Sequence, residues 1–160
     1  MSADGHTQFV IDEAVGRIRA IDRSTHQMRW EVTVASGLRG TALSLDGRQI
    51  LACSGRAGEI TVIDIAEARI VGHLRMNSAA PRHCTFSPDR RWVVVSPLTQ
   101  TTLEVVELDS GRVRHRIPLP AAPSKLVFDK HQLRVAFPDV GRVEVIDTRG
   151  WHRRHGVVGP

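Results

Sequence analysis

Three series of short segments recur in step along the chain, and together they predict an all-β fold of about four repeated sheets, the architecture of a β-propeller. The first series closes on an acid: Ile18-Arg19-Ala20-Ile21-Asp22, Ile60-Thr61-Val62-Ile63-Asp64, Leu103-Glu104-Val105-Val106-Glu107 and Val143-Glu144-Val145-Ile146-Asp147. The second is a turn, Leu43-Ser44-Leu45-Asp46-Gly47 and Phe86-Ser87-Pro88-Asp89-Arg90, with Val127-Phe128-Asp129-Lys130 as a weaker copy. The third is an apolar run ahead of each acid: Phe9-Val10-Ile11-Asp12, Leu51-Ala52-Cys53-Ser54, Val93-Val94-Val95-Ser96 and Val135-Ala136-Phe137. All share an interval of about 40 residues, the length of a four-stranded blade whose sheet is covered on both faces by its neighbours. Such cover explains why the second and third strands of each unit are nearly unbroken apolar runs.

Each blade reads as strands a, b, c and d. Blade 1, about residues 7–35, supplies b (Phe9 to Asp12), c (Arg17 to Asp22) and d (Met28 to Val34) but no a. Blade 2, about residues 38–76, and blade 3, about residues 80–119, are complete. In blade 3 the segment Pro81 to Phe86, the turn Ser87-Pro88-Asp89 and the run Trp92 to Ser96 read as strand, tight turn and strand. The proline sets its own φ there, and the aspartate accepts hydrogen bonds from nearby amides. Blade 4, about residues 122–160, has a, b and c, with Trp151 to Val158 as an irregular d. Further turns stand at Gly55-Arg56-Ala57-Gly58, Asp109-Ser110-Gly111 and Asp139-Val140-Gly141. No stretch of helical length keeps a 3.6-residue period; Ile65 to Ile70, the nearest, is short and lies where a hairpin between c and d belongs. Val62, Val94, Val105 and Val145 fall in the middle of strands b and c, so all four are expected to be covered on both sheet faces.

The stretch GEITVIDIAEARIVGHLRMNSAAPRHCTFSPDRRWVVVS, from Gly58 to Ser96, resembles the repeat of the YVTN-type β-propellers, a branch of the WD40-like superfamily. Its elements are a "VIDI" strand, a hairpin, a d strand, a proline-led connection, an "SPD" turn and a valine-rich b strand. The likeness runs from about Thr7 to Asp147, although no b strand carries Tyr-Val-Thr-Asn and the chain has no tyrosine. It implies the fold and leaves the function open, because propellers of this kind serve as scaffolds, sensors, lactonases and redox enzymes. Relatives usually carry about seven blades. Four repeats with an incomplete first one leave three closures: a small four-bladed ring, two chains forming one larger ring, or an open arc belonging to a longer propeller.

Composition sets limits on function. The 160 residues are 41% hydrophobic and 24% charged, which suits one folded domain rather than a disordered chain. The longest apolar run, Trp92 to Val95, is far short of the ~20 residues of a membrane helix. The start Met1-Ser2-Ala3-Asp4-Gly5-His6 has no apolar signal core, so the chain as it stands is expected in the cytoplasm; an upstream segment would open the periplasm or the exterior. A net charge of +5 favours anionic partners mildly. Nucleic acid is not expected among them, because the arginines are dispersed in sequence and aromatic residues are only 4%.

In a propeller, chemistry gathers where the d-to-a connections and the first residues of each strand a meet the mouth of the central channel. Aligning the repeats puts Arg39, Arg82 and Ser124 in one column and Gly40, His83 and Lys125 in the next. Arg39, Arg82, His83 and Lys125 are therefore the candidate site, a cationic group suited to a small carboxylate or phosphate. The alternative is that each arginine lies outward over its own blade. Cys53, aligned with Ile11, Val95 and Ala136, and Cys84, aligned with Thr41 and Leu126, read as small core residues. Asp22, Asp64, Glu107 and Asp147 recur as strand-c ends that accept hairpin hydrogen bonds, not as a catalytic ring. His152 and His155 lack a neighbouring acid and read with Arg153 and Arg154 as a solvated basic end. No metal site, cofactor motif or catalytic residue is expected. Two function classes follow. One is a non-enzymatic binding module that engages a protein, a small anion or a second copy completing the propeller. The other is a piece of a propeller enzyme of lactonase or redox type.

Overall fold

Apolar runs joined by turns this short can pair only with the run next in sequence, and every ladder of the structure obeys that rule. The computed structural model describes residues 1–2, 4–76, 80–98 and 100–153. The first sheet holds β1 (Thr7–Asp12), β2 (Arg17–Asp22) and β3 (Met28–Thr33). The second holds β4 (Leu38–Leu43), β5 (Gln49–Ser54), β6 (Glu59–Asp64) and β7 (Arg69–Arg75). The third holds β8 (Pro81–Phe86), β9 (Trp92–Pro97), β10 (Thr102–Glu107) and β11 (Val113–Pro118). The fourth holds β12 (Lys125–Asp129), β13 (Gln132–Phe137), β14 (Arg142–Asp147) and β15 (His152–Arg153). All ladders are antiparallel. A 3-10 turn, Pro138–Val140, links β13 to β14 and closes on Gly141 at φ 58°. Among the described residues the first sheet has no strand a, and the segment Ile65 to Ile70 is a turn running into β7. The irregular last strand is seen as β15; residues 154–160, with Arg154 and His155, lie outside the described residues.

Alternation along each strand sends side chains to both faces, and both faces of the middle sheets are buried. Ile18, Val32, Leu38, Ile50, Ala52 and Ile63 form the core between the first and second sheets. Leu51, Ile60, Val62, Phe86, Val93 and Val106 fill the space between the second and third. Val94, Leu103, Val105, Leu133, Val135 and Ile146 do so between the third and fourth. Among the described residues no such cluster joins the fourth sheet to the first.

That arrangement corrects one expectation. Val62, Val94 and Val105 are buried, but Val145 is half-exposed. Val145 is the β14 counterpart of Val62 and Val105, whose side of the sheet is covered by the following sheet. Beyond β14 no following sheet stands among the described residues, so Val143, Val145 and the 42%-exposed Val127 face outward together.

Register also corrects the alignment of Cys53. It pairs with Ile60 on β6, whereas Val95 pairs with Glu104 on β10, so the true counterpart of Cys53 is Ser96. A slip of one residue reverses the face of a strand. Cys53 consequently points forward, into the second core, where it is fully buried and joined by a disulfide to Cys84 on β8.

Repeated turn chemistry fixes where the strands begin. Ser44 Oγ and Ser87 Oγ each donate to the aspartate two residues on and accept the amides of Gln49 and Trp92, both at 2.9 Å. The Ser44 hydroxyl, with smaller contributions from the Arg48 amide and the Arg90 guanidinium, lowers the pKa of Asp46 to about 2 despite the opposing effect of desolvation. Gly47 takes φ 69° at this turn; Arg90 takes φ 58° in the same role and donates to Asp46 at 2.8 Å, tying one blade's turn to the next.

Candidate functional site

The strands that begin each complete blade, β4, β8 and β12, stand side by side, with β8 touching both of the others. A β-bulge interrupts the first pair of residues in two of them. On β4 the register passes from Leu38 to Gly40, and on β8 from Pro81 to His83. Arg39 and Arg82 are therefore the extra residues of two equivalent bulges, the device by which a strand re-aims a side chain away from its ladder. Both are exposed, as is Lys125, which pairs with Ala136 and so occupies the place of Gly40 and His83. The second column of the repeat alignment, Gly40, His83 and Lys125, holds in register, and the first holds for Arg39 and Arg82.

Gly40 sets how close β4 and β8 come. A Cβ on it would lie 2.5 Å from the Arg82 carbonyl oxygen and 3.7 Å from His83 Cα, so only glycine permits the contact. Arg39 is thereby held beside the backbone of Arg82 and His83. Its side chain runs back over Gly55, whose added Cβ would meet Arg39 Cγ at 3.1 Å, and lines a cleft of about 350 Å³ with Glu13, Ala14, Gly37, Leu38 and Arg56. Arg56 and Glu13 are thus neighbours of the site that the repeat did not mark, because they sit on b–c turns of two different blades. Arg82, His83 and Lys125 are not among the residues lining that cleft.

His83 differs from its companions. It is half-buried, its Nε2 is buried without a hydrogen-bond partner, and its pKa is pushed below the ordinary imidazole value, first by desolvation and then by the charge of Arg82. At neutral pH it is an uncharged donor or acceptor, not a fourth cation.

The other candidates behave as hairpin and core residues. Asp22 accepts from the Ser24 and Thr25 amides, from Ser24 Oγ and from Arg29, and the Ser24 and Arg29 bonds hold its carboxyl well below the usual range. Asp64 accepts from the Glu67 amide, Glu107 from Arg114 and Ser110, and Asp147 from the Arg149 amide. Arg114 and Ser110 likewise lower the pKa of Glu107. His152 is exposed on β15.

No family model and no curated protein sequence matches the chain. Among solved structures, hydrazine synthase of Kuenenia stuttgartiensis superposes with a TM-score of 0.83 at 20% identity, covering 99% of this chain and 48% of that one. The chain thus spans about half the length of that structure. A likeness at this identity speaks for the fold alone, and with the sheets described above it makes the chain an all-β propeller.

Proposed function

We propose that the chain is a non-enzymatic binding module in which Arg39, Arg82 and Lys125, with neutral His83 among them, hold a small anion at the start of the inner strands. The observation that carries this reading is the pair of equivalent bulges on β4 and β8, packed backbone to backbone at Gly40. Two guanidiniums on rigid strand starts can grip a carboxylate or phosphate without first ordering a loop. Catalysis has less support, because the buried His83 Nε2 has no hydrogen-bond partner to orient the ring as a base.

The test is to measure phosphate and citrate binding by calorimetry, and hydrolysis of a sugar-acid lactone, for the wild type and for Arg39→Ala with Arg82→Ala. Binding that weakens at least tenfold in the double variant, with no hydrolysis in either protein, is the expected result. Hydrolysis abolished by His83→Ala would place the protein among enzymes. Unchanged anion binding in the double variant would reduce the cluster to ordinary surface.

A further inference from the structure

The opposite side of the molecule, where the a–b and c–d turns lie, carries a cleft of about 360 Å³ between the third and fourth sheets. It is large enough for a small organic ligand. The third sheet contributes Trp92 and His115, and the fourth contributes Trp151, Lys130 and Arg149. Trp92 and Trp151 meet edge to face at 5.9 Å, His115 stacks on Trp151 at 6.1 Å, and Arg91 lies 4.9 Å above the Trp92 ring. Trp151 is buried at the base, while Trp92 and His115 are half-exposed. Arg91, Lys130 and Arg149 are exposed on the rim. The acid in the lining, Asp89, accepts from Ser87 Oγ and the Arg91 amide.

The repeat supplies its own control. The corresponding cleft between the second and third sheets has Gln49 where this one has Trp92, Gly72 where it has His115, Asp109 where it has Arg149 and Gly111 where it has Trp151. The backbone notch is common to both. The aromatic walls and the Arg149 cation belong to one, whereas Arg90, in the place of Lys130 in the other, is paired with Asp46. Packing alone does not demand this, since the second core closes with glycine and glutamine at the same positions.

We infer that this cleft binds a phosphate-bearing nucleobase, the base lying against the Trp92–His115 wall and the phosphate held by Arg91, Lys130 and Arg149. Indole and imidazole faces accept a planar ring of any base, and arginine both stacks on rings and takes phosphate bidentately. Two sources share this chemistry, a free nucleotide and one residue of a single strand. The sequence shows its arginines and aromatics as dispersed; the fold gathers five of them from four turns and strands.

The experiment is quenching of tryptophan fluorescence, checked by calorimetry, with AMP, ribose 5-phosphate, adenosine and a short oligodeoxythymidylate. AMP should bind at least fivefold more tightly than ribose 5-phosphate or adenosine. Arg91→Ala with Arg149→Ala, both exposed and so tolerated by the fold, should weaken AMP at least tenfold. Arg17→Ala with Arg69→Ala, both exposed on the first and second sheets, should leave the AMP quench unchanged, which separates the cations of this cleft from general surface charge. Affinity rising steeply with oligonucleotide length would identify the strand as the source. Equal binding of AMP and ribose 5-phosphate, equal binding of a glutamate-rich peptide, or AMP binding indifferent to the Arg91 and Arg149 changes would overturn the assignment.

Discussion

His83 is the residue whose surroundings differ most from those of its repeat partners, Gly40 and Lys125. Burial and the adjacent Arg82 both oppose its protonation in the folded state, so its pKa lies below the value near ~6.5 of the unfolded chain. The unfolded chain then binds the proton more readily, and stability falls as pH drops. This contribution is intact above about pH 6.5 and is lost as the pH falls through the lower, folded value. Urea midpoints measured at pH 7.5 and 5.5 should show a drop for the wild type that shrinks in His83→Gln. A drop of the same size in both proteins would mean that the imidazole is not the group responsible. In the proposed clamp the charge is assigned to Arg39, Arg82 and Lys125, since His83 is neutral at pH 7 in the free protein. Anion affinity at the inner strands should accordingly change little between pH 7 and pH 8.

At the level of the strands, equivalent positions are not equally supported. Val105 on β10 and Val145 on β14 occupy the same place in their repeats, yet one is fully buried and the other half-exposed. Truncating Val105 to alanine should cost about 1 to 3 kcal/mol through lost burial and the void left behind. Val145→Ala should cost less than about 1 kcal/mol, because that side chain gives up little burial. Denaturant unfolding of the two variants reads the difference directly, and equal losses would show that something covers β14. The strands themselves were legible, since turn residues and apolar runs repeat at one interval and place β1, β2, β3, β8 and β9 within two residues. The columns Arg39–Arg82 and His83–Lys125 were legible for the same reason. Cover was not, because a repeat says what a sheet face looks like and not whether a neighbour follows it. The one-residue phase of Cys53 escaped because a valine run slides along itself without penalty on paper. The Trp92–Trp151 cleft escaped because aligning repeats averages away whatever is particular to one interface, here Trp92 against Gln49 and Trp151 against Gly111.

For the molecule as a whole, three cores in series join four sheets, and Val10 at one end and Val127 at the other remain 39% and 42% exposed. Apolar end faces left in water favour their burial against another surface over a small closed ring. Light scattering of the 17.7 kDa chain at micromolar concentration should therefore report a species larger than the monomer. A monomer with one cooperative unfolding transition would instead indicate that the four sheets suffice alone. The ladders carry one more consequence. Because each strand hydrogen-bonds only to strands adjacent in sequence, no sheet waits for a distant segment to arrive. A nascent chain leaving the ribosome can complete the hydrogen bonding of one sheet while the next is still being synthesised, and each new sheet finds a finished surface on which to condense. Folding can run in the direction of translation, with entropy lost to loop closure in small steps rather than all at once.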